Sequence, residues 1–83
     1  MDKEQIFQVI KENIIEILPE LENRTITPSD SLKILGANSI DRAEILIKSM
    51  AALKIKAPLV EFGQAKNIEE LIEILLLKHN QAS

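Results

Sequence analysis

Apolar residues recur along this chain at the three- and four-residue spacing of helices, in blocks separated by polar, proline- and glycine-bearing stretches. The first block predicts a helix over Lys3–Leu18. Ile6, Ile10, Ile14 and Ile17 fall on one stripe, Val9 and Leu18 widen it, and Lys3, Lys11, Glu12 and Glu16 take the other side. Asp2 and Gln5 have the spacing of a capping box. Pro19 stops the helix, because it lacks an N–H and restricts Leu18. Residues 20–31 read as a long loop, since Asn23, Thr25, Thr27, Pro28, Ser29 and Asp30 all favour turns or caps. Leu32–Leu35 predicts one short turn, stopped by Gly36.

A second long helix is expected from Asn38 to about Leu53, with Asn38 as its cap and Asp41 three positions later. Ile45, Leu46 and Leu53 are its candidate core residues, and Met50 reads as core filling. Lys54–Pro58 connects it to a short third helix over Leu59–Ala65, which Gly63 weakens. Asn67 and Glu70 repeat the capping-box spacing ahead of a last helix from Ile68 to about Lys78, with Ile68, Leu71, Ile72 and Leu75 facing inward. Residues 80–83 are expected to form a polar, flexible tail. The pattern predicts an all-α chain: a four-helix bundle of three long helices and one short helix, with a long first loop, in one domain over residues 1–83.

Composition narrows the function. At 46% hydrophobic but only 2% aromatic, the core must be aliphatic. A net charge of −3 without Trp or Tyr argues against nucleic acid, which needs clustered cations and stacking platforms. The absence of Cys excludes disulfides, zinc–thiolate sites and cysteine nucleophiles. The charged start of the chain lacks a signal-peptide block, and no apolar run is longer than the four residues Ile74–Leu77. A cytoplasmic protein without membrane association is the expectation. His79, the one histidine, is expected to serve the surface or the end of the last helix, and no nucleophile–base set accompanies it. Glu69, Glu70 and Glu73 read as an acidic helix start rather than a metal cluster.

The chemically informative stretch runs from Asp30 to Asp41. Gly36 permits a backbone reversal, and Ser39 then falls in the first turn of the second helix, where its hydroxyl is reachable. A phosphate attached there would meet the positive end of the helix dipole and free N–H groups. The plain alternative is a serine that only caps the helix. Ile40, Ala43 and Ile47 share one stripe flanked by Asp41 and Glu44, which is either core or a face for partners.

Leu35-Gly36-Ala37-Asn38-Ser39-Ile40-Asp41 resembles the phosphopantetheine attachment motif of acyl carrier proteins, usually Leu-Gly-Ala/Gly-Asp-Ser-Leu-Asp. The likeness also covers Asp30-Ser31-Leu32, the Ile55–Pro58 connector and the helix pattern. It implies a non-catalytic carrier whose Ser39 bears a covalent 4'-phosphopantetheine drawn from coenzyme A, with Asn38 and Asp41 framing the attachment site. It further implies partner enzymes meeting the second helix at Ile40, Arg42, Ala43, Glu44 and Ile47. Two departures stand out. Asn38 replaces the usual Asp, losing a charge that helps hold the modifying enzyme's metal. Arg42, Lys48, Met50, Ala51 and Ala52 also make the second helix less acidic than in fatty-acid carriers.

Gly36-Ala37-Asn38-Ser39-Ile40-Asp41-Arg42-Ala43-Glu44-Ile45, with Pro58–Gly63 and Ala65–Ile68, is most similar to free-standing donor carriers of bacterial polyketide β-branching cassettes, bacillaene type. That resemblance implies malonyl and acetyl cargo and a monomeric carrier. Its partners would be a phosphopantetheinyl transferase, an acyltransferase, a decarboxylating ketosynthase-like enzyme and a hydroxymethylglutaryl-synthase-like enzyme. The alternatives are a carrier for fatty-acid, aminoacyl or ordinary polyketide extension, or an unmodified helical interaction module.

Overall fold

Three helices account for most of the structure, a computed structural model that describes residues 1–81: α1 (Lys3–Ile17), α2 (Ser39–Leu53) and α3 (Ile68–Gln81). α1 packs on both others, and no strand occurs among the described residues. α1 starts at the expected capping box: Gln5 N–H donates to Asp2 Oδ1 at 2.9 Å, and Asp2 N–H donates to Gln5 Oε1 at 2.9 Å. It ends one residue before the expected Leu18, which serves as its C-cap. Pro19 then opens a 3-10 turn over Pro19–Leu21, because its missing donor costs nothing at a helix start.

The core is aliphatic. Ile6, Ile10 and Ile14 of α1 are fully buried with Ile45 of α2 and Ile68, Ile72 and Leu75 of α3. Phe7 also turns inward, outside the stripe read from the sequence, while Ile17 stays only partly buried. Ser49, the one buried polar side chain among the described residues, accepts from Asn13 Nδ2 at 3.2 Å and so ties α2 to α1. Exposed ion pairs add further links: Lys48–Glu16 at 2.8 Å, and Lys3 with Glu69 at 3.0 Å and Glu73 at 3.7 Å. Glu69 and Glu16 hold the Lys3 and Lys48 ammonium groups above the ordinary lysine range.

The long loop is an organised strap. Ile26 and Leu32 plug the core, and Thr27 N–H donates to Asp30 Oδ2 at 2.8 Å. Its carbonyls then reach α3: Ile68 N–H donates to Asp30 O at 2.9 Å and Glu69 N–H to Pro28 O at 2.8 Å. Donors at the start of α3 are thereby satisfied by a segment far away in sequence. Glu70 N–H donates to Asn67 Oδ1 at 2.9 Å as expected, but the Glu70 carboxylate turns to Lys66 N–H at 3.0 Å, so the reciprocal half of that capping box is displaced by one residue.

Two expected elements differ in length or form. The short third helix is a 3-10 turn over Leu59–Phe62, held by bonds such as Glu61 N–H to Pro58 O at 3.1 Å. Four residues between Pro58 and Gly63 are too few to sustain α-helical bonding, and Phe62 anchors them in the core. α3 continues through Asn80 and Gln81, which were expected in the tail, while Ala82 and Ser83 lie outside the described residues. His79 lies in the last turn of α3, the helix end expected for it, half-buried, and its Nδ1 is enclosed without a hydrogen-bond partner among the described residues.

Candidate functional site

The approach to α2 is built by one turn and one cap. In the turn at Leu32–Gly36, Ala37 N–H donates to Leu32 O at 3.0 Å and Gly36 N–H to Lys33 O at 3.1 Å. This Schellman pair needs a left-handed residue, and Gly36 has φ 107°. Leu32, Leu35 and Ala37 are all buried, so the turn is pinned to the core immediately before α2 begins.

Asn38 is the N-cap. Asp41 N–H donates to Asn38 Oδ1 at 2.8 Å, and Asn38 N–H donates to Asp41 Oδ2 at 3.2 Å. Asn38 and Asp41 therefore frame Ser39 structurally, as a reciprocal capping box. Ser39 occupies the first helical position, exposed, and its hydroxyl takes no hydrogen bond among the described residues. The capping role that could have explained a serine here belongs to its neighbour. The backbone N–H groups of Ser39 and Ile40 also lack a protein acceptor among the described residues. A reachable hydroxyl beside free amides at the positive end of α2 suits an anionic phosphodiester.

Beside Ser39 opens a cavity of about 330 Å³, at the lower end of the usual range for ligand pockets. Leu46 of α2, Phe62 of the 3-10 turn and Leu71 of α3 supply apolar lining, and Lys33, Arg42 and Lys66 also line it. The sequence showed no such cavity, because its walls come from four separate segments and no local spacing brings them together.

The stripe left open between core and surface lies outside. Ile40 is 74% exposed and Ile47 51%, with Ala43 and Arg42 half-buried and Glu44 exposed. Ile45, Leu46 and Leu53 take the core side of α2. Two further apolar residues stand in the solvent on segments that line the cavity: Ile34, 78% exposed, and Val60, 82% exposed. Neither was singled out by helical periodicity, since both sit in short turns. Glu69, Glu70 and Glu73 do not form a cluster: Glu69 and Glu73 pair with Lys3, and Glu70 holds Lys66 N–H.

An exposed, uncommitted serine at the head of the second helix of an all-α fold is the arrangement of a prosthetic-group carrier. Residues 8–75 match the family described as "Phosphopantetheine attachment site", and the chain belongs to that family, as an acyl carrier protein bearing a 4'-phosphopantetheine group. It is 46% identical over 82 residues to the polyketide biosynthesis acyl-carrier-protein AcpK of Bacillus subtilis (strain 168), an alignment covering 99% of this chain and 100% of that protein. Among solved structures it is similar to a chain in the crystal structure of the curacin biosynthetic pathway HMG synthase in complex with acetyl donor-ACP. The TM-score there is 0.82 at 46% identity, over 88% of this chain and 94% of that one. The chain is a carrier and not a catalyst. No helix among the described residues is long and apolar enough to cross a membrane.

Proposed function

We propose that Ser39 bears the 4'-phosphopantetheine and that the chain, one carrier unit over residues 1–83, is the malonyl and acetyl donor for β-branching in polyketide biosynthesis. The observation that carries the attachment is the Ser39 hydroxyl itself, exposed and left without a bond because Asn38 caps α2. The donor role rests on the likeness to AcpK and to the chain from the complex of an HMG synthase with acetyl donor-ACP. When bound, the prosthetic group supplies a thiol that holds the acyl group as a thioester. Ser39 fixes where the arm starts, and the Gly36 turn and the Asn38–Asp41 box hold Ser39 in place. Ile40, Arg42, Ala43, Glu44 and Ile47 form the face presented to partners. A carrier must release each enzyme within every cycle, so its complexes should bury on the order of 1,200 Å² or less.

The partners are a phosphopantetheinyl transferase, an acyltransferase, a decarboxylating ketosynthase-like enzyme and a hydroxymethylglutaryl-synthase-like enzyme, meeting a monomeric carrier in the cytoplasm. Incubation with coenzyme A, magnesium and a broad-specificity transferase should add one arm to the wild-type chain and none to Ser39→Ala. Helical circular dichroism should be unchanged in the variant. Modification persisting in Ser39→Ala would sink the assignment. The donor role fails if a cognate synthase accepts acetyl from an ordinary fatty-acid carrier equally well.

A further inference from the structure

The cavity beside Ser39 has a charge opposite to that of the molecule around it. The chain carries 13 acidic and 10 basic residues, yet the cavity lining includes Lys33, Arg42 and Lys66 and no carboxylate. None of these three cations forms an ion pair among the described residues, whereas Lys3, Lys48 and Lys78 all do. The three come from separate parts of the chain: the turn before α2, the first turn of α2 and the approach to α3. Only the fold assembles them. Asn67 adds a neutral donor, because its Oδ1 is committed to Glu70 N–H and its amide N–H groups are not.

A cavity lined by Leu46, Phe62 and Leu71 together with three uncompensated cations fits a short acyl group that is anionic at its end. We propose that this cavity is a specificity site for carboxylate-ended acyl thioesters: Lys33, Arg42 and Lys66 hold the terminal carboxylate of a malonyl group and leave a neutral acyl group free. This rests on attachment at Ser39 and deepens the donor reading. The carrier itself distinguishes its cargo before and after loss of the carboxylate, sheltering the charged form and presenting the neutral one. Lys33 and Lys66 are exposed and Arg42 is half-buried, so the attraction is partly screened by water and must fade further with salt.

The arm's phosphodiester is a second oxyanion that the same cations could serve, so the experiment must separate the two. The wild-type chain is loaded by a broad-specificity transferase with coenzyme A, malonyl-coenzyme A or acetoacetyl-coenzyme A, and each product is verified by mass. Acetoacetyl has nearly the shape of malonyl, with a methyl group replacing one carboxylate oxygen, so that it carries no charge. The readout is the backbone amide shifts of Gly63, Ala65 and Leu71 in the cavity wall. The malonyl form should move them well beyond the unacylated and acetoacetyl forms. That excess should disappear in Arg42→Gln and in Lys66→Gln, and at about 1 M salt, where the screening length is about 3 Å. Equal shifts for malonyl and acetoacetyl would overturn the proposal. So would shifts already complete in the unacylated arm, which would assign the cations to the phosphodiester. Absence of any mass gain would instead remove the attachment reading on which the proposal rests.

Discussion

Truncating Ile40 and Ile14 to alanine separates a docking face from a core. Each substitution removes about three carbons, worth roughly 0.8 kcal/mol apiece when fully buried. Ile40 is 74% exposed, so only about a quarter of that gain exists to be lost. The loss is then about 0.6 kcal/mol, and the better helix propensity of alanine returns a few tenths. The net change in stability should stay within about 0.5 kcal/mol, moving the melting temperature by no more than roughly 4 °C. Ile14 is 0% exposed at the centre of the helix packing. Its truncation adds a cavity to the lost transfer energy and should cost about 2–5 kcal/mol. For a chain of 83 residues the total stability is on the order of 4–12 kcal/mol. Ile14→Ala should therefore lower the melting point by at least about 8 °C, and in the worst case leave the chain largely unfolded. Thermal melts followed by circular dichroism give the first half of the result. Turnover with a hydroxymethylglutaryl-synthase-like enzyme gives the second, where Ile40→Ala should weaken the complex while remaining folded. If Ile40→Ala melts as early as Ile14→Ala, the exposed stripe is structural. If it melts normally and also supports unaltered partner kinetics, the docking face has been placed wrongly.

Gly36→Ala should destabilise by about 1–2 kcal/mol in a denaturant titration, because a Cβ at φ 107° is strained although no heavy atom lies within 4 Å of it; an unchanged midpoint would show that the turn relaxes freely. Asn38→Asp should preserve stability, since both side chains cap a helix, and should speed arm transfer at limiting magnesium by restoring a charge near the metal; equal rates across a magnesium titration would refute that role. Glu44→Lys should lower turnover with partner enzymes mainly through association rate, and most at low salt; a salt-independent defect would point to lost packing instead.

The helix positions, the aliphatic core and the serine were legible in the sequence because each rests on local rules. Ile6, Ile10 and Ile14 declare a buried face by spacing alone. Asn38 and Asp41 declare a helix start because their hydrogen bonds close within four residues. The motif around Ser39 was likewise contiguous. Tertiary structure decided what depended on distant segments meeting. The Leu59–Phe62 segment became a 3-10 turn because Phe62 is held in the core and the segment is bounded closely by Pro58 and Gly63. The start of α3 takes its acceptors from Pro28 and Asp30, which no local pattern predicts. The exposure of Ile40 and Ile47 followed from which side of α2 met α1, a choice the apolar residues on both sides of that helix left open. The cavity of Lys33, Arg42 and Lys66 beside Ser39 exists only once the turn, α2, the 3-10 turn and α3 are assembled. Spacing reports which residues share a face of one element; only packing brings faces of different elements around a common space.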